Sequence, residues 1–126
     1  MKEISSVVIH GQRIGSRIGF PTANMDIDKD VSVENGVYAS ITKVGDTEYH
    51  SLTNIGLRPT VCGKKRLIET HLLDFSGDLY DKVIIVSLLK KIREEKKFES
   101  LDALKTQLEK DASTIRAFFT QKSIER

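Results

Sequence analysis

The sequence predicts a mainly β domain of antiparallel strands that ends in one amphipathic helix. Short segments rich in β-branched residues, separated by glycine-containing turns, fill roughly the first 90 residues. No segment among them has the length of the crossover helix that parallel strands need. Apolar residues at three- and four-residue spacing appear only after Ser100. This pattern favours an antiparallel barrel or sandwich of about six strands, followed by a helix.

The composition is that of one ordinary water-soluble domain. The chain has 126 residues, of which 39% are hydrophobic and 30% are charged, and this size is enough to bury a core without disulfides. It has no apolar run long enough to span a bilayer and no charged-then-apolar leader. Because Cys62 is the single cysteine, a reducing compartment is expected. We therefore predict one domain over residues 1–126, located in the cytoplasm and without a membrane partner.

Charge and histidine content argue against two classes of function. A net charge of +2 is too small to indicate nucleic acid as the main partner. The residues that could bind zinc lack the short spacing of zinc ligands: His10, His50, His71 and Cys62. Neither a nucleic-acid partner nor a zinc site is predicted.

The strands are predicted from segments that are rich in β-branched residues or that alternate in polarity. They cover residues 4–9, a short segment after Pro21, and residues 37–44, 47–53, 67–75 and 82–89. Gly45-Asp46 joins two of them, and a two-residue connection with glycine first is typical of a type II′ hairpin turn. A further turn is predicted at Gly77-Asp78, before the last strand.

The C-terminal part predicts a helix over residues 100–119. Ser100 is a suitable N-cap residue. The apolar positions that follow recur at helical spacing: Leu101, Leu104, Leu108, Ala112, Ile115 and Phe118. This stripe is expected to pack on the strands as part of the core. Residues 121–126 are expected to be frayed.

A glycine-rich run is the first candidate site. Glycines recur at four-residue spacing and lead into Pro-Thr-Ala-Asn, residues 21–24: Gly11, Gly15 and Gly19. Glycines let a ligand approach the backbone closely, and successive N–H groups in such a loop suit phosphate. The Thr22 hydroxyl and the Asn24 amide oxygen are donors that Mg²⁺ accepts. The run is neither a Walker loop nor a dinucleotide fingerprint, and spacing alone is equally compatible with a loop that binds nothing.

Glu69 is the second candidate, because it lies in the middle of a strand with apolar residues on both faces. Strand alternation places it on the same face as His71. A buried carboxylate is costly unless it is paired or used, and burial raises its pKa toward the range of a general base. The alternative is a solvated face, or an ion pair with one of three nearby cations: Lys64, Lys65 or Arg66. His71 itself is interpreted as a structural strand histidine.

Two further segments carry polar or aromatic candidates. Residues 54–60 are interpreted as a second glycine-containing turn, in which Arg58 meets either a phosphate or solvent. Residues 93–98 form a charge run typical of a solvated surface. Phe98 is the aromatic exception in that run, and it suits either a flat ligand or the entry of the helix.

Taken together, these segments resemble the riboflavin kinase (flavokinase) family. The matching pieces occur in the family's order and run from about residue 5 to residue 112. They are residues 19–24, Gly36-Val-Tyr38, residues 54–60, residues 69–75, Asp78-Leu-Tyr80, residues 92–98 and Leu101-Asp-Ala-Leu104. Each piece is short, but their joint occurrence is highly specific.

The resemblance implies a fold and an activity. The expected fold is a six-stranded antiparallel Greek-key β-barrel over about residues 4–90, with the C-terminal α-helix packed on it. The expected reaction is transfer of the γ-phosphate of ATP to the 5′-hydroxyl of riboflavin, which gives FMN and ADP and depends on Mg²⁺. Phosphoryl transfer requires mainly alignment and charge stabilisation, so a glycine loop, one metal and one carboxylate form a sufficient set.

The resemblance also implies roles for individual residues. Glu69 is expected to be the base that activates the ribityl hydroxyl, and Thr22 and Asn24 are expected to hold the metal–nucleotide complex. The other residues expected to bind the nucleotide are Gly11, Gly15, Arg17, Gly19, Pro21, Asn54 and Gly56. Those expected to border the flavin are Tyr80, Arg93 and Phe98.

Two positions depart from the family pattern. Asp81 stands where family members commonly have glycine, which affects the local turn near the flavin. Ser16 stands where they often have arginine, and neighbouring Arg17 is a candidate substitute in contacts to phosphate.

Several readings stay open at this stage. A non-catalytic flavin- or nucleotide-binding sensor barrel would not need Glu69. An oligonucleotide-binding barrel is disfavoured because tryptophan is absent and the charge is nearly balanced. Nothing in the sequence distinguishes ATP from CTP. Bacterial relatives usually carry this domain at the end of a longer chain with an adenylyltransferase, so the chain is either free-standing or part of such a protein.

Overall fold

The computed structural model describes residues 2–7, 19–27, 32–61, 63–75, 79 and 82–124. Its elements are β1 (Lys2–Val7), β2 (Ala23–Asp26), β3 (Gly36–Val44), β4 (Thr47–Thr60), β5 (Gly63–Leu72), β6 (Val83–Arg93) and α1 (Leu101–Ile124). The strands form one sheet in the order β1-β6-β3-β4-β5-β2, and every neighbouring pair is antiparallel. The predicted mainly β antiparallel fold with a C-terminal helix is confirmed. Among the described residues, no helix has the length and apolar character needed to cross a membrane.

The sheet is curled but open at one seam. Strands β1 and β2 stand at opposite ends of the strand order, yet their Cα atoms come within 8 Å. Within the described residues these two strands are not hydrogen-bonded to each other, which corrects the expectation of a closed Greek-key barrel. Strand β2 pairs with β5 and spans only four residues, so it offers β1 a short edge.

The largest correction to the predicted elements concerns residues 54–60. They are not a turn, because β4 continues to Thr60 and pairs with β5 until Thr60 meets Gly63. Long-range pairing with β5 therefore overrides the local Gly-Pro composition. Strand β6 extends to Arg93, and α1 reaches Ile124 instead of fraying after residue 120. The hairpin at Gly45 is confirmed, with a φ of 60° at the glycine.

Each face of the sheet has its own hydrophobic core. The first lies inside the curl of the sheet and consists of Ile4, Ala23, Met25, Ile27, Tyr38, Ile55, Ile68, Leu72, Leu79, Ile84, Val86 and Leu88. The second lies between the sheet and α1 and consists of Val37, Ala39, Leu52, Leu73, Ile115 and Phe119. In α1, Phe119 is buried where the spacing indicated Phe118, and Leu101 is exposed.

A chain of buried hydroxyl groups crosses the inner face from β3 through β4 to β5. Ser40 Oγ lies 3.0 Å from the Ser51 carbonyl oxygen, to which it must donate. It also lies 2.6 Å from Ser51 Oγ and 2.7 Å from Thr53 Oγ1, from which it therefore accepts. Thr42 and Thr70 complete the chain at 2.8 Å from Ser51 Oγ and 3.0 Å from Thr53 Oγ1. Every one of these hydroxyl donors then has an acceptor, as buried polar groups require.

The end of β6 is tied to α1 by a buried ion pair. Arg93 donates three hydrogen bonds to Asp111, from Nε to Oδ1 at 2.9 Å and to Oδ2 at 3.1 Å, and from Nη2 to Oδ2 at 2.7 Å. Gln107 Nε2 donates to the same carboxylate at 2.9 Å. The helix begins as predicted, because Ser100 Oγ accepts a hydrogen bond from the Ala103 amide. These contacts set the direction in which α1 leaves the sheet.

A hydrogen bond from His71 on β5 holds the segment that precedes β2. His71 Nδ1 donates to the Pro21 carbonyl oxygen at 2.7 Å, and its ring lies 5.1 Å from that of Phe20. Burial lowers the pKa of His71 from its ordinary 6.5, partly opposed by the Pro21 hydrogen bond. The charge of Arg116 lowers it further. The folded protein therefore favours neutral His71.

We expect the buried pair to contribute far more stability than an exposed one. Asp111→Asn removes the counterion of a half-buried arginine and is expected to lower the free energy of unfolding by about 3 kcal/mol. Arg116→Gln breaks the exposed pair with Asp74 and should cost less than about 1 kcal/mol. Urea unfolding of both variants measures the difference. Equal losses in the two variants would contradict this account.

The lowered pKa of His71 predicts a loss of stability in mild acid. The unfolded chain takes up a proton near pH 6.5 that the folded state resists, so stability from this group is full above that pH and declines below it. His71→Asn keeps an N–H for the Pro21 carbonyl but does not titrate. Urea unfolding at about pH 7.5 and about pH 5.5 should show a smaller change in the variant than in the wild type. An identical pH dependence would rule out this role for His71.

Candidate functional site

A row of directly opposed residues crosses the outer face of the sheet. Arg93 on β6 is paired with Val37 on β3, and Val37 with Asn54 on β4. Asn54 is paired with Glu69 on β5, and Glu69 with Asn24 on β2. Opposed residues in antiparallel strands share a face and lie about 5 Å apart. The register therefore aligns four of the residues that the sequence singled out, although they lie far apart along the chain.

The row forms the floor of a cavity of about 700 Å³. Phe20 and Thr22 line one part of it, and residues 95–98 with Leu104 and Leu108 line another. The predicted site residues that line this cavity are Thr22, Asn24, Asn54, Glu69, Arg93 and Phe98. The volume is in the range of small-molecule sites.

The other predicted site residues fall into two groups. Gly19, Pro21 and Gly56 are described but do not line the cavity, although Pro21 is next to Thr22 and bound by His71. The rest lie outside the described residues: Gly11, Gly15, Arg17 and Tyr80, together with the departures Ser16 and Asp81.

Glu69 is held by an arginine, and not by one of the lysines near it in the sequence. Arg58 Nε donates to Glu69 Oε1 at 2.8 Å, and Arg58 Nη1 donates to Glu95 Oε1 at 3.0 Å. Burial lowers the pKa of Arg58, but the charges of both carboxylates and their hydrogen bonds raise it above its ordinary value overall. The Arg58 guanidinium thus holds both Glu69, in the floor of the cavity, and Glu95, in the wall formed by residues 95–98.

The sequence offered Arg58 only as a candidate for phosphate or solvent, and it did not single out Glu95. The signal was nevertheless present for Arg58, because Asn54, Gly56 and Arg58 alternate along β4 and share the face of Glu69. Reading residues 54–60 as a turn concealed that alternation. Glu95 carried no local signal, since only the folding of the chain after β6 brings it to Arg58.

The absence of a side chain at Gly56 makes room for Glu95. It is buried, and a Cβ there would collide with the carboxylate of Glu95. The missing side chain leaves the space in which Glu95 reaches Arg58. Gly56, which the resemblance assigned to nucleotide binding, therefore contributes to this site by admitting Glu95.

Arg93 and Phe98 form one wall of the cavity. Arg93 is held by Asp111 and donates through Nη1 to the Glu94 carbonyl oxygen at 3.0 Å. Its Cζ lies 5.9 Å from the centroid of the Phe98 ring, and Lys96 Nζ lies 5.7 Å from the same centroid. The aromatic ring is thereby kept beside two cations at the cavity edge.

The oxygen atoms of Thr22 and Asn24 suit a metal ion whose other ligands are water and phosphate. No group of three or more histidine, cysteine or acidic residues that could hold a metal occurs among the described residues. Thr22 and buried Asn24 offer neutral oxygen atoms to the cavity. Mg²⁺ typically keeps waters and phosphate oxygens and takes few protein ligands, so this pair fits Mg²⁺ bound together with a nucleotide.

Comparisons with known proteins identify the family of the chain. The sequence model of the riboflavin kinase family, Flavokinase, matches residues 2–119. The bifunctional riboflavin kinase/FMN adenylyltransferase of Escherichia coli K12 is 48% identical over 117 residues, which are 92% of this chain and 37% of that protein. The RNA-binding riboflavin kinase RibR of Bacillus subtilis is 40% identical and covers 91% of this chain and 50% of that protein. The chain thus spans well under two thirds of these relatives.

Solved structures share the fold. The riboflavin kinase of Trypanosoma brucei superposes with a TM-score of 0.69 and 26% identity, and the match covers 98% of this chain and 82% of that one. A Streptococcus pneumoniae protein described as a macrolide-efflux protein gives a TM-score of 0.82 and 31% identity, over 90% of this chain and 38% of that one. With the family match spanning nearly all of its length, the chain belongs to the riboflavin kinase family.

Proposed function

We propose that this chain is a riboflavin kinase, which transfers the γ-phosphoryl group of ATP to the 5′-hydroxyl of riboflavin and yields FMN and ADP. The observation that carries the proposal is the aligned row, which sets the carboxylate of Glu69 between the amides of Asn24 and Asn54 in one cavity. Phosphoryl transfer requires this kind of alignment more than a protein nucleophile. We further propose that residues 1–126 act as one domain in the cytoplasm, with neither nucleic acid nor membrane as a partner.

Glu69 is the proposed general base. The 5′-oxygen of riboflavin forms a bond to the γ-phosphorus while the bond from that phosphorus to the bridging oxygen of ADP breaks. The hydroxyl proton passes to the Glu69 carboxylate, which later releases it to solvent. The hydrogen bond from Arg58 Nε occupies Glu69 Oε1, so Oε2 is the oxygen proposed to take the proton. Arg58 in this way limits the carboxylate to one orientation.

Thr22 and Asn24 are the proposed protein ligands of the Mg²⁺ that accompanies ATP. When bound, the metal would neutralise charge on the phosphates. His71 keeps Thr22 in place by binding the Pro21 carbonyl. The other residues that we propose to bind the nucleotide are Gly11, Gly15, Arg17, Gly19 and Pro21. Those that we propose to contact the flavin ring are Tyr80, Arg93 and Phe98.

The proposal for this chain is confined to the kinase reaction. The relative from Escherichia coli is named for two activities, and the match covers 37% of it. An adenylyltransferase domain in a longer parent chain is compatible with that relationship, but the residues described above do not assign adenylyl transfer to this chain.

Glu69→Gln should reduce kcat by about 10²–10⁴-fold, the usual contribution of a positioned base. Glu95→Gln is the matched control, because both carboxylates bind the same guanidinium of Arg58. It should reduce kcat by less than about tenfold, since Glu95 takes no proton in the reaction. FMN formation followed by chromatography, with folding checked by circular dichroism, measures both variants.

Similar losses in the two variants would overturn the role of Glu69 as base, because they would show that both residues act by fixing Arg58. Retention of more than a tenth of the turnover in folded Glu69→Gln would have the same meaning. The absence of FMN from the wild type, with tight riboflavin binding, would favour the sensor instead.

Thr22→Ala should raise the KM for the magnesium–ATP complex and shift the Mg²⁺ dependence to higher concentration, because one oxygen ligand is lost. Thr22→Ser keeps the hydroxyl and should remain close to the wild type. Initial rates over a range of Mg²⁺ at fixed ATP, together with riboflavin binding as a control, measure the effect. A normal Mg²⁺ profile in Thr22→Ala would remove Thr22 from the metal site.

A further inference from the structure

The side chain of Asn54 contains an acceptor that none of the described residues satisfies. Asn54 Oδ1 is buried and has no hydrogen-bond partner among the described residues. The residue lines the cavity and stands in the middle of the aligned row. Buried polar atoms in native proteins are nearly always paired. An unpaired oxygen at the floor of a cavity is therefore an acceptor available to a ligand that brings a donor.

The position of Asn54 limits what that donor is. It lies one strand from Glu69, at a spacing of about 4.8 Å, on the side toward Arg93 and Phe98. Phosphate oxygens are acceptors at neutral pH and cannot satisfy a carbonyl oxygen. Asn24, which together with Thr22 would hold the metal, is on the far side of Glu69 from Asn54. Hydroxyl groups remain as the donors that the proposed substrates place between the reacting 5′-oxygen and the flavin ring.

We propose that Asn54 Oδ1 accepts a hydrogen bond from a secondary hydroxyl of the ribityl chain of riboflavin. Asn54 then recognises the ribityl chain of the flavin. This role replaces the nucleotide binding that the resemblance implied for Asn54. One strand spacing matches the reach from the 5′-oxygen at Glu69 to a hydroxyl one or two carbons along the chain. This inference rests on the proposed riboflavin kinase function and adds the residue that selects a flavin with a hydroxylated side chain.

Lumiflavin separates recognition of the ring from recognition of the polyol, because it has the flavin ring without the ribityl chain. Flavin fluorescence titrations should show that Asn54→Leu weakens riboflavin binding by about 10- to 100-fold, since the side chain keeps its shape but loses the acceptor. Lumiflavin binding should change by less than about twofold, and magnesium–ATP binding should stay at the wild-type level.

Unfolding of the ligand-free protein distinguishes this role from a structural one. Replacing an unsatisfied buried oxygen by an apolar group of similar shape should leave the urea midpoint unchanged or raise it. Asn54→Thr, which keeps an oxygen on a side chain that suits a strand, carries the test if the leucine variant does not fold. It should bind riboflavin more tightly than any Asn54 variant that lacks an acceptor, with lumiflavin again unaffected.

Each outcome separates this inference from the proposed function. A wild type that forms FMN, with an Asn54→Leu variant that loses riboflavin affinity selectively, supports both. Equal weakening of riboflavin and lumiflavin, loss of magnesium–ATP binding alone, or an unchanged riboflavin affinity overturns the role of Asn54 while FMN formation stands. A wild type that neither binds riboflavin nor forms FMN overturns the proposed function itself.

Discussion

The site depends on the register among β3, β4 and β5, and the buried hydroxyl chain on the inner face fixes that register. Ser40 and Ser51 are directly opposed, as are Thr53 and Thr70, and their hydroxyl groups bond across the strands. A slip by one residue would turn every side chain to the other face. A slip by two would keep the faces but leave buried hydroxyls without partners, at a cost of about 1–3 kcal/mol for each group. The hydroxyl hydrogen bonds on the inner face thus stabilise the strand register that aligns the row of site residues on the outer face.

The outer face of the sheet forms part of the hydrophobic core and also carries the candidate site. Where α1 packs, it is an apolar core of residues such as Ala39 and Leu52. Beyond the helix, the same face carries Glu69 and Arg58 in a half-buried ion pair. The pair with Glu95 joins the floor of the cavity to its wall, so a single arginine links the orientation of the carboxylate to the position of the wall. Such support by neighbouring groups is what a site needs in order to hold its geometry before a ligand arrives.

Prediction from sequence succeeded where the signal is local and failed where the partner is distant. The hairpin at Gly45 and the helix start at Ser100 are set by residues next to one another, and both are confirmed. Residues 54–60 were read wrongly because glycine and proline indicate a turn locally, whereas ten cross-strand partners in β5 hold β4 extended. Arg58 was missed as the ion-pair partner of Glu69 for the same reason, since it reaches Glu69 only from the neighbouring strand β4.

The antiparallel β class, the C-terminal helix, the family and the residue types of the site can all be predicted from the sequence, because alternation, caps and ordered motifs are properties of short segments. Only the folded chain brings Asn24, Glu69, Asn54 and Arg93 into one row and fits Glu95 into the space above Gly56. Folding also leaves Asn54 Oδ1 without a partner among the residues that the structure describes. These facts depend on strand register and on where the chain folds after β6. Register is a cooperative result of packing on both faces of the sheet, and no short segment encodes it.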